Sequence, residues 1–326
     1  MEKNGIWITW EFQRRNYGIS SALGWPLNEF DFNSPRLIRY LKSIYKSINV
    51  IYHDKPTVVA AQNPSIILAI TAILICKLFG KGIIIDAHNS GIYPCEGKNP
   101  FLLSIAKWIQ KKSDLTIVTN NELKKVVESN GGRAFVLPDR IPEVNNIKRI
   151  PLEGRHAIAY ICSFSDDEPY LNVIEAAKLL PPDIKIYITG KYYDRLKGKK
   201  IPENVILLGY ISDEKYWSLL KSADIIMDLT LRENCLVCGA YEAVAIAQPL
   251  ILSNTKALKA YFNRGCIYVG SSVASIAKGM ICAVDQLDSL KSEIAELRSI
   301  RMRDWENMLI LLKGEIRKVV GRKNFK

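Results

Sequence analysis

Along the first half of the chain, short apolar runs alternate with segments whose apolar positions recur every three or four residues. The runs GIWITW, TVVAAQ, GIIIDAH, DLTIVTN and RAFVL have the length and β-branched content of strands buried on both faces. Between them, segments near 35–48, 65–79, 100–112 and 121–130 carry helical spacing. Strand and helix in regular alternation predict a doubly wound parallel sheet. A second series follows: HAIAYIC, a helix over 170–180, IKIYITG, VILLGY, a helix over 213–221, DIIMDLT, a helix carrying Glu242, PLILS and CIYVG. The segment PDRIPEVNNIKRIPLEG between the two series has three prolines and little periodicity, which marks a linker. The tail from 285 onward reads as helix, with Trp305, Met308, Leu309 and Leu312 at helical spacing. The expected organisation is therefore an α/β fold with Rossmann-like domains over 1–140 and 155–300, a linker over 141–154, and a terminal helix over 301–326.

Length and composition agree with this, since 326 residues at 48% hydrophobic and 24% charged suffice for two ordinary globular domains. The amino-terminal MEKNGIWITWEFQRR lacks the apolar run of a secretory leader, so a cytoplasmic location is expected. The run IILAITAILICKL over 66–78 is shorter than the roughly 20 apolar residues that cross a bilayer, and is expected as a buried helix. Seven scattered cysteines give no disulfide framework. Cys235 and Cys238 form a CxxC with no second pair at ligand spacing, so no metal site is expected.

Net charge is +12, with the basic excess concentrated in the first half. Over 35–48, Leu37, Leu41, Ile44 and Ile48 form an apolar stripe, while Arg39, Lys42 and Lys46 share another face. Lys107, Lys111 and Lys112 form a second basic set. Two readings stand side by side: solvated helix faces, or attraction to an anionic membrane surface at roughly 1 kcal/mol per basic residue. No RNA-binding or helix-turn-helix signature accompanies the charge, so nucleic acid is not an expected partner.

The chemistry concentrates in 223–253, ADIIMDLTLRENCLVCGAYEAVAIAQPLILS. It reads as strand, polar loop, short helix and strand, with Gly239 at a close turn and Pro249 ending the helix. A helix start after a strand holds anions with its unpaired N–H groups, and a carboxylate there suits the vicinal hydroxyls of a ribose.

This stretch resembles the retaining glycosyltransferases of family 4, whose signature is a pair of glutamates eight positions apart, then small residues and a proline. Glu242, Ala243, Ala245 and Pro249 match its second half; the first glutamate position falls on Asn234, with Glu233 one residue out of register. The resemblance implies a GT-B fold, two Rossmann-like doubly wound parallel-sheet domains facing a cleft, with the terminal helix crossing back to the first domain. It implies transfer of a sugar from a nucleotide-diphosphate donor to a glycan or lipid-linked acceptor with retention, using no metal and no cofactor. Glu242 would hold the ribose, and the position of Asn234 the donor sugar.

The family usually binds the diphosphate with an arginine and a lysine after the second domain's first strand. That place here reads SFSDDEPYLN, without a basic residue. Lys191, behind Gly190, and Arg232 are the candidates instead, with Glu233 beside them and the backbone N–H groups of Cys235 and Leu236 contributing. In the first domain, Asp86 and His88 stand at a strand's carboxyl end, matching the family's acceptor-side cleft, and are the candidate catalytic residues. Arg14 and Arg15 occupy the loop after the first strand and suit a phosphate, such as that of a polyprenyl-linked acceptor. Asn63, after TVVAAQ, is a further cleft-lining candidate, while His53 and His156 read as structural.

The leading expectation is a transferase at the cytoplasmic face of the membrane, building a glycolipid or polysaccharide precursor. An epimerase sharing the fold is a second enzyme reading. The non-enzyme alternative is a degenerate sugar-nucleotide-binding partner of another transferase, motivated by Asn234 and the missing cations.

Overall fold

The computed structural model describes residues 5–324. The chain up to Arg140, together with its end from Asp304 onward, forms one compact unit, and Ile141–Arg303 forms a second.

The first unit runs β1 (Gly5–Thr9), α1 (Arg14–Leu23), β2 (Leu27–Glu29), α2 (Arg36–Asp54), β3 (Val58–Asn63), α3 (Ile66–Leu78), β4 (Gly82–Ala87), α4 (Asn89–Ile92), α5 (Pro100–Lys112), β5 (Leu115–Val118), α6 (Asn121–Ser129) and β6 (Ala134–Val136). Its sheet has the order β2-β1-β3-β4-β5-β6, all parallel. Every residue of β1, β3 and β4 is buried, because helices cover both sheet faces and the strands need no polar side. Strand order reverses between β1 and β3, which opens a crevice at their carboxyl ends.

The second unit runs β7 (His156–Tyr160), α7 (Tyr170–Ala177), β8 (Ile184–Thr189), β9 (Val205–Gly209), α8 (Asp213–Ser222), β10 (Ile225–Asp228), α9 (Cys238–Ala245), β11 (Leu250–Ser253), α10 (Lys256–Tyr261), β12 (Cys266–Val269) and α11 (Val273–Asp285). The parallel order β12-β11-β10-β7-β8-β9 is that of a dinucleotide-binding sheet, with its reversal between β7 and β10. The predicted pair of doubly wound parallel sheets is thus the observed architecture.

Helix α12 (Leu287–Asn324) begins in the second unit and ends in the first. Trp305, Leu309, Leu312, Ile316 and Val319, spaced alternately four and three apart, bury one stripe against Trp7, Ile84 and Ile117. Trp305 also donates its Nε1 proton to the Pro138 carbonyl at 3.1 Å, which fastens the chain where it leaves the first unit.

Two helices bear on the membrane question. α3 buries Leu68, Ala69, Ala72, Ile73 and Cys76 within its unit, and among the described residues no helix is long and apolar enough to cross a membrane. α2 turns Ser43 and Ser47 inward beside Ile44 and Ile51, and only the Leu37 and Leu41 end of its apolar stripe faces outward. Ser47 Oγ accepts from Trp10 Nε1 at 2.9 Å and Ser43 Oγ donates to the Phe30 carbonyl at 3.2 Å, while Leu37, Leu41 and Tyr45 stay exposed.

Candidate functional site

In the second unit the crevice between β7 and β10 gathers the polar residues that follow both strands. Asp228 ends β10 and is buried; its Oδ2 accepts the Gly239 N–H at 2.8 Å and so caps the start of α9. Glycine is required there, because a Cβ would lie 2.6 Å from that oxygen and 2.3 Å from Ile161. Burial, ahead of Glu168, Glu242 and Asp167, raises the Asp228 carboxyl well above the ordinary aspartate range, and the Gly239 N–H only partly opposes this.

One turn into α9, Glu242 is buried and accepts a short hydrogen bond on Oε2 from the Tyr216 hydroxyl of α8. Burial first, and then the Glu242 charge, raise the Tyr216 phenol far beyond its ordinary value, so it stays a donor. The carboxylate therefore has a fixed direction at the carboxyl end of β10.

The loop after β10 is held by the loop after β7. Asp167 Oδ2 accepts from Thr230 Oγ1 at 2.9 Å and lies 3.3 Å from Arg232 Nη1, and the Asp167 carbonyl accepts the Leu231 N–H at 2.6 Å. Glu233 Oε1 accepts the Lys256 N–H at 3.1 Å and thereby ties the loop to the start of α10. Lys191 is exposed, with its Nζ 5.8 Å from the Tyr210 ring centre. Gly190, at φ 102°, lets β8 end against the Cys162 carbonyl, where a Cβ would fall at 2.0 Å.

Most unexpected is the anion at the end of β7. The Glu168 carboxylate accepts from the Ser163 N–H at 3.0 and 3.1 Å, the Ser165 N–H at 3.0 Å, the Ser163 hydroxyl at 3.0 Å and the Cys162 thiol at 3.3 Å. Burial, followed by the Glu168 charge, raises the Cys162 thiol and keeps it protonated.

In the first unit, Asp86 is fully buried and gripped by Arg15, whose Nε lies 3.0 and 3.1 Å and Nη2 2.8 Å from its oxygens. Arg15 Nη1 reaches Asp139 at 2.5 Å. Burial alone would lower the pKa of this guanidinium; Asp86 and Asp139 outweigh it and raise it. His88 Nε2 stands 3.7 Å from Asp86 Oδ2, near enough for charge but beyond hydrogen bonding. Asn63 is buried at the end of β3 and donates to the Gly91 carbonyl at 3.4 Å.

With this geometry in view, the comparisons locate the likeness. Residues 145–300 match the family model of glycosyl transferases group 1. The second unit is similar to that family. No curated protein sequence matches the chain. Among solved structures, HepE of Anabaena in complex with UDP and glucose is 11% identical with a TM-score of 0.75, covering 96% of this chain and 99% of that one. Sucrose-phosphate synthase from Thermosynechococcus elongatus is 13% identical at 0.77, covering 98% and 99%. A putative UDP-N-acetylglucosamine 2-epimerase from Listeria monocytogenes is 13% identical at 0.60, covering 90% and 91%. The fold is GT-B, a fold that transferases and the epimerase share.

Three sequence expectations change in detail. Cys235 and Leu236 do not open the helix: Val237 is extended at φ −83° and ψ 142°, α9 begins at Cys238, and Asp228 takes the Gly239 N–H. Arg14 and Arg15 do not act as a pair, since Arg14 is exposed whereas Arg15 turns inward to Asp86 and Asp139. Glu233 is engaged at α10. Sequence reasoning missed Tyr216, Asp228, Asp139 and Glu168. Asp228 had a readable signal, an acidic residue closing an apolar strand; Tyr216 had none, because its partner is on another helix.

Proposed function

We propose that the chain is a retaining glycosyltransferase of family 4, transferring a sugar from a nucleotide-diphosphate donor to a glycolipid or polysaccharide-precursor acceptor. The observation that carries this reading is Glu242. A buried carboxylate, oriented by Tyr216 beyond the carboxyl end of β10 and inside the region that matches glycosyl transferases group 1, is suited to accept from the hydroxyls of a ribose. UDP and glucose in the HepE complex make a UDP-sugar the first donor to try.

In this reading Glu242 accepts from the ribose hydroxyls, and the region of Asn234 meets the donor sugar. Arg232 and Lys191 meet the diphosphate whose negative charge grows as the glycosidic bond breaks. No metal is assigned to the step and no cofactor is needed. The acceptor belongs to the first unit, where Arg15 grips the Asp86 carboxylate beside His88. His88 orients the acceptor hydroxyl or the donor sugar, and the departing phosphate receives the proton. Arg14 and Asn63 are assigned to the acceptor side. The exposed apolar and basic residues of α2 favour work at the inner face of an anionic membrane.

The test is turnover with nucleotide-sugars and a lipid-linked saccharide acceptor, followed by mass and the anomeric proton coupling of the product. Acceptor-dependent release of nucleoside diphosphate, a retained anomer and loss of both in Glu242→Ala are expected. An inverted anomer would refute retention, and an epimerised free sugar nucleotide would replace the transferase with the epimerase reading. Nucleotide binding without any turnover would favour the degenerate partner, which the anionic loop at Asp166, Asp167 and Glu168 also motivates.

A further inference from the structure

We infer that the loop after β7 is a phosphate-class anion site which the chain fills with its own carboxylate, Glu168. The inference rests on reading the second unit as the donor-binding unit and names a regulation of that site. Among the described residues Glu168 has no cation as its partner; its two oxygens collect two backbone N–H groups, a hydroxyl and a thiol. Such a set is how backbone concavities hold phosphate oxygens. The concavity exists because Phe164, a bulky residue, adopts φ 60°, which turns the N–H groups of Ser163 and Ser165 toward one point. Phe164 is buried edge-on against Tyr170 at 5.1 Å, so packing holds the turn independently of the carboxylate.

The neighbouring side chains repeat the pattern. Asp167 takes Thr230 and Arg232, and Asp166 takes Arg195 at 2.9 Å. Groups suited to a diphosphate are thus engaged by three consecutive carboxylates of one loop. Anion and carboxylate exclude each other there, so an incoming phosphate must displace Glu168, and Glu168 sets how tightly the phosphates of a donor are held.

The test is titration of the full-length protein with inorganic pyrophosphate, and with UDP in parallel, by calorimetry and by the amide resonances of Ser163 and Ser165. Glu168→Ala should bind pyrophosphate at least tenfold more tightly than the wild type, with the largest shifts at those two amides. Glu168→Gln, which keeps an acceptor for the loop but drops the charge, should fall between them. A gain for pyrophosphate alone assigns a free-anion site, and an equal gain for UDP assigns the diphosphate of a nucleotide; either supports self-occupation. Unchanged affinity in a folded Glu168→Ala, or tighter binding with shifts elsewhere, would overturn it. Were Glu168→Ala to lose the loop's native resonances, unchanged affinity in Glu168→Gln would overturn it equally. Pyrophosphate binding requires neither base, sugar nor turnover, so its outcome is separable from the failure of the transferase reading.

Discussion

The Tyr216 hydroxyl donates to Oε2 of Glu242, joining α8 to α9 across 26 positions of sequence. Both groups are largely buried, so the bond fixes a carboxylate direction that solvent would otherwise average. Tyr216→Phe removes only this donor. Leaving a buried acceptor short of its partner costs about 1–3 kcal/mol, and donor affinity should fall roughly fivefold at the lower end of that range. Calorimetry against the preferred nucleotide-sugar measures it; unchanged affinity would show that Tyr216 does not orient Glu242.

Asp228 makes stability depend on pH in a defined sense. Burial raises its folded pKa, so the unfolded chain loses this proton at the ordinary aspartate value while the folded protein retains it. The group's contribution is complete below the unfolded value and is lost as pH rises toward the folded one, at about 1.4 kcal/mol per pH unit within that window. Asp228→Asn keeps an oxygen for the Gly239 N–H without the titration. Relative to wild type, the variant should gain stability in urea melts as pH rises above the ordinary aspartate value. A pH-independent difference would contradict the protonated state.

Arg15 and Asp86 are a buried pair whose members fail separately. Arg15→Met should destabilise the first unit by about 3–5 kcal/mol, because it strands the Asp86 charge. Arg15→Met with Asp86→Met should recover much of that loss. Denaturant melts of the wild type, both single variants and the double variant form the check, and additive losses would argue against the pairing.

Much of the architecture was legible because parallel strands buried on both faces read as continuous apolar runs, as in GIIIDA and DIIMD. Glu242 was legible too, through its spacing to Pro249. Its partner Tyr216 was not, since a side-chain bond between two helices leaves no local period. Arg15 illustrates the same limit: adjacent to Arg14 and identical in type, it differs by facing inward on α1, toward carboxylates 71 and 124 positions away. Glu168 was visible only as a missing cation, because backbone N–H groups have no letter in the sequence. The outward direction of Leu37 and Leu41 followed from Ser43 and Ser47 fitting close to Phe30 and Trp10 while Ile44 of the same stripe packs inward, a split that periodicity alone does not show.

That direction has its own consequence. Vesicles rich in phosphatidylglycerol should carry the protein upward in flotation at low salt and release it at high salt. Lys42→Glu with Lys46→Glu should weaken binding by at least roughly tenfold, at about 1 kcal/mol for each lost cation. Absence of flotation at low salt would rule out the membrane surface.

The most direct measurement is the thermal shift of the purified protein with UDP-, GDP-, ADP- and CDP-sugars, with Glu242→Ala in parallel. A ligand at ten times its Kd stabilises by about 1.4 kcal/mol, or roughly 3–6 °C for a unit of this size. One donor class should shift the wild type by that amount and leave Glu242→Ala unmoved. An equal shift in both proteins would remove Glu242 from the donor site, and no shift with any donor would contradict nucleotide-sugar binding by the second unit.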